Sequence, residues 1–210
     1  MSEFVFELLQ LAGILAFAIS GALVGVRRNL DMLGVAVVGG FTGVGGGVLR
    51  DLLLGVHPPI SFVYWPNLAV AVGASLVVFF VHPKLSRIRY FEVVFDAFGL
   101  GLFSANGAAV AFATGQAPLT AILVGTTTAI GGGVIRDVLV NTVPGVLTRE
   151  LYAVSALLGA TVAIAVLMLG GSAGLASIVG GACAITLRLL SVARGWHLPK
   201  PRMAGRGPAA

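Results

Sequence analysis

Two arginine–aspartate pairs, Arg50-Asp51 and Arg136-Asp137, stand inside long apolar stretches, each preceded by three glycines and two aliphatic residues: Gly45-Gly46-Gly47-Val48-Leu49 and Gly131-Gly132-Gly133-Val134-Ile135. A carboxylate in such a stretch can replace part of a cation's hydration shell, and an arginine can set the local field or hold a substrate carboxylate. Consecutive residues on a helix point about 100° apart, so the spacing predicts that neither arginine neutralises its neighbour and that each finds a partner elsewhere. Two readings stand: buried ion pairs that lock helices together, or a charge lattice that lines and gates an aqueous path.

The glycines carry a choice of their own. Each costs a helix about 1 kcal/mol against alanine, so three in a row are there for a reason. They can let neighbouring helices approach closely, or they can break or kink the helix and free carbonyl oxygens toward a water-filled path. Two triplets at one spacing, each followed by a charged pair, favour the pathway.

Other polar residues within the apolar runs add to it. Ser20 and Asn106 occupy the same position relative to the two motifs; Thr42 precedes the first triplet, and Thr126, Thr127 and Thr128 precede the second. Taken singly, a threonine in an apolar helix bonds its own backbone four residues back. Asp96 has no acidic mate, because the matching residue is Gln10. Its place near the start of a helix favours an interfacial helix-start charge over a pore role.

No catalytic constellation emerges. His57, His82 and His197 fall at span ends or in the tail, too scattered for a metal triad, and the triplets lack the Lys-Ser/Thr of a phosphate loop. The single cysteine, Cys183, excludes an internal disulfide. An enzyme is not expected, nor a cofactor, nor any metal beyond permeant monovalent cations.

The elements that must position these residues are membrane helices. Of 210 residues, 58% are hydrophobic and 10% charged, where a soluble domain has about 25% charged. Apolar runs of roughly 20 residues give seven predicted spans, near 4–26, 33–56, 65–82, 91–113, 119–141, 150–169 and 172–190. Glu3 and Glu7, with no basic residue before Arg27, argue against a cleaved signal, so the first run is read as a helix. Tyr64 and Trp65 suit the headgroup level, and Pro66 the first turn of the third span.

Orientation follows from the basic residues. Arg27, Arg28, Lys84, Arg87, Arg89, Arg149, Arg188, Arg194, Lys200, Arg202 and Arg206 fall on one side, which accounts for all of the 13 except the two motif arginines. That side is cytoplasmic, with the N-terminus outside. The net charge of +5 therefore reports topology rather than nucleic acid, since no aromatics interleave the basic residues.

The two motifs lie 86 residues apart, and the same offset pairs Phe17 with Phe103, Gly21 with Gly107 and Pro58 with Pro144. Three spans per unit is an odd number, so the second unit enters the membrane in the opposite sense. The expected fold is an all-α membrane protein of seven transmembrane helices: residues 1–86 as one three-helix repeat, 87–171 as its inverted copy, 172–191 as a seventh helix, and 192–210 as a flexible basic cytoplasmic tail. The two triplets then meet near the midplane, in the second and fifth spans.

These residues carry a resemblance. Ala16-Phe17-Ala18-Ile19-Ser20-Gly21-Ala22-Leu23, the stretch from Gly45 to Gly55 followed by Pro58-Pro59, Phe95-Asp96-Ala97-Phe98-Gly99-Leu100, and Gly131 to Asp137 with Pro144 together resemble the prokaryotic trimeric intracellular cation (TRIC) channel family, up to about residue 190. The resemblance implies a homotrimer in the prokaryotic inner membrane and a hydrophilic pore through each protomer, flanked by kinked second and fifth helices. It implies conduction of monovalent cations, chiefly potassium, with sodium less favoured. The same domain has carried the label of a glycine transporter, so a secondary transporter for a small zwitterion is the rival. A membrane scaffold without transport is the third reading.

Overall fold

The computed structural model describes residues 2–85, 90–148 and 150–199, and among them the only regular elements are nine α-helices. In chain order they are α1 (Ser2–Arg27), α2 (Met32–Leu53), α3 (Ile60–Val63), α4 (Trp65–Leu85), α5 (Phe91–Ala113), α6 (Pro118–Leu139), α7 (Gly145–Thr148), α8 (Tyr152–Met168) and α9 (Ala173–Arg194). Six of them, α1, α2, α4, α5, α6 and α9, are long and apolar enough to cross a bilayer; α8 is apolar but has 17 residues. The predicted spans correspond to these seven elements, with ends shifted by a few residues. The two four-residue helices after the prolines at 58–59 and 144 have no apolar run to announce them.

Local chemistry sets the boundaries. Asp31 caps α2, its carboxylate accepting from Gly34 N at 2.7 Å, and Ser172 caps α9 through Leu175 N at 3.2 Å. Pro118 opens α6, where a missing N–H costs nothing. Just beyond α2 and α6 the chain turns through left-handed residues at matching positions, Gly55 (φ 72°) and Asn141 (φ 54°), two residue types that tolerate that region.

In lipid, apolar side chains gain little by leaving their solvent, so close backbone contact holds helices together. Here α1 packs on α2, α4 and α5, while α5 touches α6, α8 and α9, and α2 crosses α6. At the centre Phe17 and Phe103 meet edge to face, centroids 5.3 Å apart. Contacts recur in pairs with the partners exchanged. A Cβ on Gly99 would strike the Phe17 ring at 2.5 Å, and one on Gly13 the Phe103 ring at 2.6 Å. One on Gly45 would meet Ile135 Cδ1 at 2.5 Å, and one on Gly131 would meet Leu49 Cδ1 at 2.5 Å. Large apolar residues such as Leu33, Phe80 and Leu169 point outward, as lipid-facing positions should.

One sequence expectation changes here. Both α2 and α6 run unbroken through their glycine triplets, so the triplets do not interrupt the helix to free carbonyls. Their physical use is proximity: a Cβ on Gly46 would fall on the Thr128 carbonyl oxygen of α6, and one on Gly132 would lie 2.5 Å from the Thr42 carbonyl oxygen of α2. Arg188, counted among the basic residues of one membrane side, lies near the end of α9 and is fully buried there. Arg87, Arg89, Arg149, Lys200, Arg202, Arg206 and the Lys84 side chain lie outside the described residues, as does the predicted tail from residue 200 onward.

Candidate functional site

The α2–α6 contact places the two charged pairs at the ends of facing helices, each in the last turn of its own. Asp51 and Asp137 are fixed first. Asp51 Oδ2 accepts from Ile60 N at 2.8 Å and Asp137 Oδ2 from Gly145 N at 2.7 Å, so each carboxylate ties the returning chain to its helix. The other oxygen takes the adjacent arginine: Arg50 Nε to Asp51 Oδ1 is 2.9 Å, and Arg136 Nε to Asp137 Oδ1 is 2.9 Å.

This corrects the expectation that neighbours cannot pair. The Cα–Cβ bonds do diverge, but a long arginine stem folds back onto a carboxylate that the returning chain holds still. The other half of the expectation stands for Arg136, whose Nη1 also donates to Asp96 Oδ1 at 2.6 Å and to Ser20 Oγ at 2.8 Å. All three side chains are buried.

The two half-sites differ where the sequence does. Gln10 occupies the position matched by Asp96, and it lines, with Gly47, Arg50, Ser61 and Thr128, a crevice of about 10 Å³. That is room for about one water. Arg50 therefore has one carboxylate where Arg136 has two. In the second half-site the Tyr152 hydroxyl lies 3.4 Å from Asp96 Oδ1, and Arg188 stacks over the Tyr152 ring at 5.0 Å.

Asp96 is thus no interfacial helix-start charge. It sits in the second turn of α5, fully buried, while Glu92 occupies the first turn and pairs with Arg27 of α1. The threonines bond their own helices: Thr42 to the Val38 carbonyl at 2.5 Å, Thr126 to Ile122 at 2.8 Å and Thr128 to Val124 at 2.7 Å. Thr127 points away from the bundle and is exposed. Asn106 is buried and its Nδ2 has no partner among the described residues; Arg50 donates to Asp51 and makes no bond to Asn106 that would match the one from Arg136 to Ser20.

Sequence reasoning missed Ser61, Glu150, Tyr152 and the burial of Arg188. The last had a signal, since an arginine within the final apolar run is costly unless enclosed. Tyr152 had none, because the residue at the matching offset is Pro66.

A bundle of apolar helices with ion pairs buried between them defines a multi-pass membrane protein. The family model described as glycine transporter matches residues 7–83 and 93–168. A UPF0126 membrane protein of Deinococcus radiodurans is 43% identical over 154 residues, 72% of each chain. The UPF0126 inner membrane protein YadS of Escherichia coli is 36% identical over 199 residues, 93% of this chain and 95% of YadS. Among solved structures, one that gave the structural basis for conductance through TRIC cation channels superposes with a TM-score of 0.87 at 38% identity, covering 95% of this chain and 98% of its own. The TRIC trimeric intracellular cation channel orthologue from Rhodobacter sphaeroides gives 0.85 at 38% identity, over 91% and 98%. The chain belongs to the UPF0126, or prokaryotic TRIC, family.

Proposed function

We propose that this protein is a passive channel for monovalent cations, potassium chief among them, with a separate hydrophilic path through each protomer of a homotrimer. The observation that carries this reading is the pair of buried Arg-Asp half-sites set across the α2–α6 glycine contact, in a chain similar at 38% identity to TRIC cation channels. The path is lined by α2 and α6 and passes beside the close contact made by Gly45, Gly46, Gly47, Gly131, Gly132 and Gly133. Asp51, Asp137 and Asp96 supply negative charge, Ser20, Asn106, Thr42, Thr126 and Thr128 supply polar groups, and Arg50 and Arg136 set the field.

The scaffold of this reading is seven spans in a three-plus-three-plus-one arrangement, with α8 as the sixth. Exchanged contacts such as Gly45–Ile135 with Gly131–Leu49 support two inverted units, and so does the division of the family match into two segments. The N-terminus faces outward and the Arg136 half-site lies toward the cytoplasm.

The rival reading, uptake of a zwitterion such as glycine, draws on the family model's description. Against it stands size: the crevice beside Arg50, at about 10 Å³, takes a water and not an amino acid. Proteoliposomes loaded with potassium chloride separate the two. The channel reading expects non-saturating potassium efflux and no counterflow of radiolabelled glycine; saturable glycine counterflow without potassium efflux would replace it with the transporter.

A further inference from the structure

Arg188 is buried at zero exposure in α9, a helix outside the two repeats, and its charge is poorly compensated for that depth. Its Nη1 donates to the Glu150 backbone carbonyl and lies 3.5 Å from Glu150 Oε2, on a side chain that is itself 26% exposed. Nε and Nη2 have no partner among the described residues. An arginine serving only to join two helices would be better replaced by an apolar side chain of the same length, because the desolvation it suffers exceeds what one carbonyl returns.

What the guanidinium does hold is Tyr152. It lies over the ring at 5.0 Å, and the hydroxyl of that ring reaches toward Asp96 Oδ1, the oxygen that also accepts from Arg136 Nη1. Gly133, last of the second triplet, leaves the space: a Cβ there would stand 2.6 Å from the Tyr152 hydroxyl. At the matching place Gly47 faces the Ser61 hydroxyl, with its notional Cβ 3.3 Å away, and Ser61 has no ring for an arginine to stack on. A continuous chain therefore runs from α9 through α8 and α5 to α6 and α1 on one side of the path only.

We infer that Arg188 is a positioning residue for the Asp96–Arg136 half-site: by holding Tyr152 against Asp96 it keeps that carboxylate, and with it Arg136, in the shut arrangement. The inference rests on the channel reading of this same site. It gives α9 a task that its place outside the repeat does not supply, which is to make one half-site respond to a helix the other half-site never touches.

The test uses the full chain in lipid with Arg188→Met, which keeps the stem and removes the charge, and Tyr152→Phe, which removes only the hydroxyl. Both should raise single-channel open probability about fivefold at unchanged conductance and ion selectivity, and the double variant should do no more than the stronger single. A second readout does not depend on current: Ser20→Cys in a Cys183→Ser background should react with a charged thiol reagent about tenfold faster once Arg188→Met is added. Unchanged open probability and labelling in both variants would overturn the inference, as would altered conductance or additive effects. A silent parent protein would sink the channel reading alone, and labelling would still decide the role of Arg188.

Discussion

Replacing Gly46 with alanine should abolish conduction and weaken the fold together, by far more than one methyl group suggests. The added Cβ falls on the carbonyl oxygen of Thr128, which is helix backbone and cannot rotate aside, so α2 and α6 must separate. Overpacking of a close contact costs about 1–3 kcal/mol, and here it displaces the two helices that carry the Arg-Asp pairs of the proposed path. Gly73→Ala is the control: nothing beyond its chain neighbours and own helix backbone lies within 4 Å of a Cβ there, so helix propensity alone should add up to about 1 kcal/mol of stability and leave current unchanged. Thermal unfolding in detergent read beside single-channel recording checks both. Full current from folded Gly46→Ala protein would show that the α2–α6 contact does not shape the path.

The second large effect is at Arg136. Removing its charge as Arg136→Gln leaves Asp96 and Asp137 buried without the cation they share, a change worth about 3–5 kcal/mol of stability. Adding Asp96→Leu should recover most of that loss, because the remaining carboxylate, Asp137, keeps its bond from Gly145 N. At the other half-site Arg50→Gln should cost less, since only Asp51 loses its partner and the crevice beside it admits a water. Unfolding midpoints of the three variants against the parent protein form the check. Equal losses at Arg50 and Arg136 would mean that Asp96 adds nothing to the second half-site.

Much of this architecture was legible in the residues. Apolar runs of bilayer length located every long helix, because in lipid the length and composition of a run are themselves the constraint. The fixed offset between the motifs led to the expectation that the two triplets meet, and a Cβ on Gly131 would lie 3.6 Å from Gly46 Cα. Charge pairing was less legible. That Arg50 folds back on Asp51 depends on Ile60 returning to pin the carboxylate, a tertiary event with no local signal. Asp96 sat at a distance of 40 residues from Arg136, and only the packing of α5 on α6 brings them together. The triplets were read partly for the wrong property: their lack of side chains serves proximity while the helices stay continuous.

The central claim is that a cation path runs through the protomer, and the reversal potential of the purified protein in a planar bilayer tests it most directly. Under a potassium chloride gradient, discrete openings should reverse close to the potassium equilibrium potential, and replacing potassium with sodium on one side should shift reversal in the direction of potassium preference. Openings that reverse near the chloride potential, or silence across a wide voltage range from intact, folded protein, would contradict it.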